Sequence, residues 1–172
     1  MTQVLSPPGV LPGTERLLAL AEERCRKLSV RLTPWRRQVL SILLEAPRPM
    51  GAYALLDHLR VMAGPAAPPA IYRALDFLVT QGLAHRLASQ STYVACMTCG
   101  AAPGHAHAFL LCQSCGRATE IEDHRVEHAI ASMVGRVGFQ VFGRTVEVDG
   151  LCSGCASHES VKVSTAPAPS TA

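Results

Sequence analysis

No apolar stretch in these 172 residues approaches the roughly 18 to 20 that a membrane span needs. The Leu/Ala-rich N-terminal stretch is interrupted by Arg and Glu, so it does not read as a secretory leader. No GxSxG, HExxH or phosphate-loop motif occurs, and His105-Ala106-His107 lacks the Glu of a zinc deaminase. No repeat of solenoid period is present. Net charge is also slight: 16 basic against 13 acidic side chains gives +3. The expectation these absences support is a small globular protein of the reducing cytoplasm, with no enzymatic role, membrane partner or small-molecule substrate. In that compartment paired cysteines are more often metal ligands than disulfides.

The modest net charge conceals an asymmetry. Residues 1–90 carry 11 basic and 6 acidic side chains, whereas residues 91–172 carry 5 and 7. Six of the seven Cys and five of the seven His also fall after residue 90. A basic half is joined to a Cys/His-rich half, each large enough for one small domain with a thin core.

The basic half reads as four helices. Leu18, Ala21, Cys25 and Leu28 recur at helical spacing over 15–28 and should share one inward face. Thr33-Pro34 supplies a hydroxyl cap and a first-turn proline for a helix that stops before Pro47. A third helix covers 52–62, with Leu55, Leu56 and Leu59 inward. A fourth begins after Pro68-Pro69 and ends at Gly82, with Ile71, Leu75 and Leu78 inward and Tyr72, Arg73 and Asp76 outward. The alternating runs 83–87 and 92–96 predict a hairpin. Short helices closed by a hairpin, with net positive charge, form the pattern of a winged helix-turn-helix that reads double-stranded DNA. Arg31, Thr33 and Arg36 at a helix start suit phosphate, Tyr72 and Arg73 suit base edges, and Tyr53 suits a thymine methyl or a phosphate. Arg37 reads as a solvated face and Cys25 as a core residue. Asp57 and Arg60, three residues apart, form a surface pair or touch a neighbouring protomer.

In the second half, 108–112 and 117–122 predict two strands around a knuckle. Asp123 can cap a helix to about residue 137, with Val126, Ile130 and Met133 inward. Residues 139–148 predict a last strand, and Asp149-Gly150 a turn. So small a β-α-β unit exposes apolar faces and should dimerise.

Three CxxC pairs, Cys96/Cys99, Cys112/Cys115 and Cys152/Cys155, each place two thiolates at a bite suited to a tetrahedral ion. Which two share an ion is not fixed by spacing; counting alone favours the first two pairs. His85, Cys96, His105, His107 and Glu120 offer a second, mixed N/O/S set. His124 and His128 lie one helical turn apart, most simply on a polar helix face.

Val30-Arg31-Leu32-Thr33-Pro34-Trp35-Arg36, the run Ile71 to Leu78 ending in Gly82-Leu83, and Cys112-Gln113-Ser114-Cys115-Gly116 with the late CxxC resemble the ferric uptake regulator family over about residues 14–156. Tyr53 to Asp57, Ala84-His85-Arg86 and Tyr93 to Cys96 are most similar to its zinc-sensing members, and a thiolate at Cys96 favours zinc over ferrous iron. The resemblance implies an α+β protein: an N-terminal winged helix-turn-helix DNA-binding domain (14–90), a small C-terminal α/β dimerisation domain with a four-cysteine zinc site (91–158), and flexible tails at 1–13 and 159–172. It also implies two zinc ions per protomer. Cys112, Cys115, Cys152 and Cys155 would hold the structural ion, against the count. His85, Cys96, His105 and Glu120 would hold the regulatory one, with His107 and Cys99 as substitutes. The expected function is a homodimeric, zinc-responsive repressor of zinc-uptake genes. The alternatives are an iron or peroxide sensor on the same scaffold, or a thiol oxidoreductase using Cys96/Cys99.

Overall fold

The computed structural model describes residues 3–4, 13–63, 67–97, 107–141 and 145–157. The first unit consists of α1 (Thr14–Lys27), α2 (Pro34–Glu45), α3 (Ala52–Ala63) and α4 (Pro68–Thr80), with strands β2 (Met50–Gly51), β3 (Ala84–Leu87) and β4 (Thr92–Ala95). α2 starts where Thr33 turns extended; its hydroxyl accepts the Arg36 N–H at 3.4 Å, and Pro34 fills the first turn without wasting a donor. α4 ends in a left-handed Gly82 (φ +66), after which the Leu83 N–H donates to the Leu78 carbonyl at 2.8 Å. A side chain at Gly82 would press on Arg24, whose Nε donates to the Gln81 carbonyl at 2.9 Å and ties α1 to the end of α4.

Leu18, Leu40, Leu55, Leu59, Leu75 and Leu78 lie fully buried where the four helices meet. Tyr72, Arg73 and Asp76 are exposed, as the helical period requires. Leu28 departs from expectation at 46% exposed: α1 stops at Lys27, Ser29 takes a left-handed turn, and Val30 packs on the core instead. β3 and β4 form the expected antiparallel hairpin, with Ala84 opposite Ala95 and His85 opposite Val94. β2, too short to announce itself, pairs with the other edge of β4 through Met50 and Tyr93. This three-stranded sheet carries the first unit past residue 90 to Ala95.

The second unit is built on β5 (His107–Cys112), flanked by antiparallel β6 (Ala118–Glu122) and parallel β7 (Thr145–Gly150). α5 (His124–Arg136), capped by Asp123 through the Arg125 N–H, makes the crossover that a parallel pair requires. α6 (Ser153–Ala156) follows, and β1 (Gln3–Val4) adds to the edge of β6, where the sequence predicts a loose tail. Two further expectations are corrected. The last strand begins at Thr145, not Phe139, and runs through Asp149-Gly150 because its parallel pairing with β5 continues to Cys112. Met133 is 55% exposed, not inward, while Val126 and Ile130 are half-buried. Val137 and Phe139, just past α5, are exposed as well.

The units meet at the hairpin. Leu87 of β3 is buried with Phe109 and Leu111 of β5, so the wing supplies part of the core of the second unit.

Candidate metal centres and nucleic-acid interface

β5 delivers Cys112 into a knuckle closed by Gly116 (φ +70), whose N–H donates to the Cys112 carbonyl at 2.8 Å. The Arg48 side chain lies against Gly116; a Cβ there would sit 3.4 Å from its Cδ. Cys152 caps α6 and Cys155 lies on its first turn, in the second knuckle. Three hydrogen bonds join the knuckles: the Gln113 N–H donates to the Gly150 carbonyl at 2.9 Å, the Gln113 amide to Asp149 at 2.5 Å, and the Cys152 N–H to Cys112 Sγ at 3.3 Å. The Sγ atoms of Cys112, Cys115, Cys152 and Cys155 all fall within 4.8 Å of one another. Cys115 and Cys152 Sγ are 3.9 Å apart, against about 3.8 Å for two sulfurs on a tetrahedral zinc with 2.3 Å bonds. The backbone N–H groups of Cys115 and Cys152 favour thiolate at Cys112 and bring its thiol down to about 6. At Cys155 a bond with Ser114 works the same way, but the neighbouring sulfurs and burial outweigh it and push the thiol up to about 11. The donor set fits a closed, structural zinc site. The count-based pairing of Cys96/Cys99 with Cys112/Cys115 is not what the fold makes: Cys96 lies with other partners.

Those partners are His85 and Glu120. His85 comes from β3, Cys96 follows β4 with its N–H on the Leu83 carbonyl at 3.0 Å, and Glu120 comes from β6. Their ligand atoms lie within 4.8 Å of one another, and all three residues are buried. His85 Nε2 is 3.5 Å from Glu120 Oε1, and the other carboxylate oxygen accepts the Met97 N–H at 3.3 Å. The Phe109 ring, 5.2 Å from the imidazole, shields the cluster. Burying a carboxylate beside an imidazole is costly unless both serve a charge, and an imidazole, a thiolate and a carboxylate suit zinc. Cys99 and His105 lie outside the described residues; His107 opens β5, but its side chain is not described.

In the first unit, Tyr72 and Arg73 are exposed near the start of α4, and Tyr53 stands 67% exposed at the start of α3. Arg31 is exposed before α2, and Thr33 is its half-buried cap. Arg36 is engaged with its own protein: its guanidinium lies 3.6 Å over the Phe77 ring and donates to the Arg31 carbonyl at 2.8 Å. Arg37, read from sequence as solvated, bridges Glu15 and Glu22 of α1, each at 2.8 Å. His124 and His128 are exposed on α5.

Sequence reasoning missed Glu147 on β7. Its carboxylate accepts the Ala88 N–H at 2.7 Å, the Ser89 N–H at 3.1 Å and the Ser89 hydroxyl, all in the wing turn. Burial disfavours its charge, but these bonds outweigh that and hold the carboxyl below its ordinary value. No local pattern marks a partnership across 59 residues.

A winged-helix reader fastened through its hairpin to a cysteine-clustered sheet defines a metal-linked DNA-binding regulator. Residues 27–149 match the model of the "Ferric uptake regulator family", and the chain belongs to that family. It is 38% identical over 149 residues to the zinc uptake regulation protein of Escherichia coli K12, covering 87% of this chain and 86% of that one. It superposes with TM-score 0.80 and 38% identity on a zinc uptake regulator complexed with zinc and DNA, covering 85% of this chain and 97% of that one. With holo XcZur the values are 0.76, 39%, 84% and 99%.

Proposed function

We propose that this chain is a zinc-responsive transcriptional repressor that binds palindromic operators of zinc-uptake genes as a zinc-loaded homodimer in the cytoplasm, with two ions per protomer and no catalytic step. The observation that carries this reading is the buried cluster of His85, Cys96 and Glu120, whose donors come from both units. A bound zinc ion would supply a joint there, fastening an imidazole nitrogen and a thiolate of the first unit to a carboxylate of the second. His85 and Cys96 move with the wing; Glu120 stays with the sheet. One of His105, His107 or Cys99 completes the set. Cys112, Cys115, Cys152 and Cys155 hold the second ion and staple the sheet domain.

The exposed apolar group of Met133 on α5 with Val137 and Phe139 just past it is the surface that a second copy would cover. Pairing through it offers two α4 helices to successive half-sites. Arg31 and Thr33 meet phosphate, Tyr72 and Arg73 meet base edges, Tyr53 meets a thymine methyl or phosphate, and Arg36 braces α2 on α4 beside them. Zinc controls DNA binding only if it binds the DNA-competent arrangement more tightly than the alternatives. Among the described residues no helix is long and apolar enough to cross a membrane.

The test is Cys96→Ser at buffered free zinc. It should abolish zinc-dependent operator binding while leaving a folded dimer that retains its structural ion; normal operator affinity for this variant at low free zinc would refute the reading. Parallel manganese and iron titrations separate zinc sensing from an iron or peroxide sensor.

A further inference from the structure

Three residues form one row across the second sheet. Phe109 of β5 is paired with Glu120 of β6 on one side and with Glu147 of β7 on the other. Directly paired residues project to the same face of a sheet, and here that face receives the wing. Each member of the row takes a different part of it. Glu120 lies in the cluster with His85 and Cys96. Phe109 packs against Leu87 and His85. Glu147 gathers the Ala88 N–H, the Ser89 N–H and the Ser89 hydroxyl. The wing is therefore held at one end by a donor set for a metal and at the other by a carboxylate that needs none.

We infer that Glu147 is a positioning residue for zinc sensing: a metal-independent latch that holds the wing turn on the sheet and so presents His85 and Cys96 to Glu120. This rests on the zinc-responsive reading given above and adds to it the element that sets its threshold. An anion accepting two successive backbone N–H groups and a hydroxyl makes charge-assisted bonds. Their strength fixes how much of the zinc-free protein already has the ligands assembled, and the apparent zinc affinity scales with that fraction. The latch shifts the free zinc needed for DNA binding and leaves the saturated complex unchanged.

The experiment is an operator-binding titration at buffered free zinc on the full-length dimer, comparing wild type with Glu147→Ala, Glu147→Gln and Ser89→Ala, with amide exchange at Ala88 and Ser89 in zinc-depleted protein. Glu147→Ala should raise the half-maximal zinc concentration roughly 3- to 30-fold, as loss of such bonds predicts, with unchanged operator affinity at saturating zinc, unchanged dimer mass and faster exchange at both amides. Glu147→Gln, which keeps an acceptor but loses the charge, and Ser89→Ala, which removes one donor from the wing side, should shift it less and in the same direction. A wild-type midpoint in Glu147→Ala with unaltered exchange overturns the latch. So does a fall in saturated affinity equal to the midpoint shift, which would mark a general structural role. A wild-type protein indifferent to zinc would instead overturn the zinc-responsive reading itself, so the two failures are distinct.

Discussion

Leu18, Leu40, Leu55 and Leu75 lie fully buried among the first four helices, whereas the buried apolar cluster of the second unit consists, among the described residues, of Phe109, Leu111 and the wing's Leu87. The first unit owns its core. The second borrows one residue of its core from its neighbour and leaves Val137 and Phe139 in solvent. A sheet this thinly covered needs staples, and it has a four-sulfur cluster and a donor set shared with the wing. A domain that is incomplete alone is a good place to put a sensor, because whatever completes it also changes it.

Variants can break this comparison. Cys152→Ser should have the largest effect. Structural zinc contributes roughly 10–16 kcal/mol to such sites, so the second unit should lose its fold and the dimer dissociate, while amides in α1–α4 keep their exchange protection. A stable zinc-free dimer would contradict the staple. Leu75→Ala should reverse the pattern. It should cost about 2–5 kcal/mol in the first unit, read by denaturant melts, without loss of the structural ion. Arg73→Ala should leave both units intact and cost about 1–3 kcal/mol of operator discrimination, read against a scrambled site. Arg37→Ala, which removes an exposed two-carboxylate bridge between α1 and α2, should cost about 1 kcal/mol or less. A larger loss would mean that α1 is held by charge more than by Leu18 and Ala21.

What could be read from the residues follows the same division. The helices of the first unit are local objects, and their boundaries follow from Thr33-Pro34, Pro68-Pro69 and Gly82. The knuckles are local too, but Cys115 and Cys152 meet across 37 residues, and spacing leaves open which knuckles share an ion. Arg36 reads as a phosphate contact because its neighbours are basic; only the fold shows Phe77 beneath it. Met133 reads as inward because it continues the helical stripe of Val126 and Ile130, and the period alone does not tell which end of a stripe is covered. β2 and Glu147 depend on pairings with residues far along the chain, and neither announces itself in any window of sequence.

β2 has a mechanical consequence. A free two-stranded hairpin is marginally stable and would flex on its own. Here Met50 and Gly51 bind the far edge of β4, so the loop between α2 and α3 is stitched to the hairpin. The hairpin is therefore tied to the helical body at two places, through β2 and through the chain that leaves α4. His85 on β3 and Cys96 just past β4 are thus carried by a sheet that is sewn at its other edge to the helices presenting Tyr72 and Arg73.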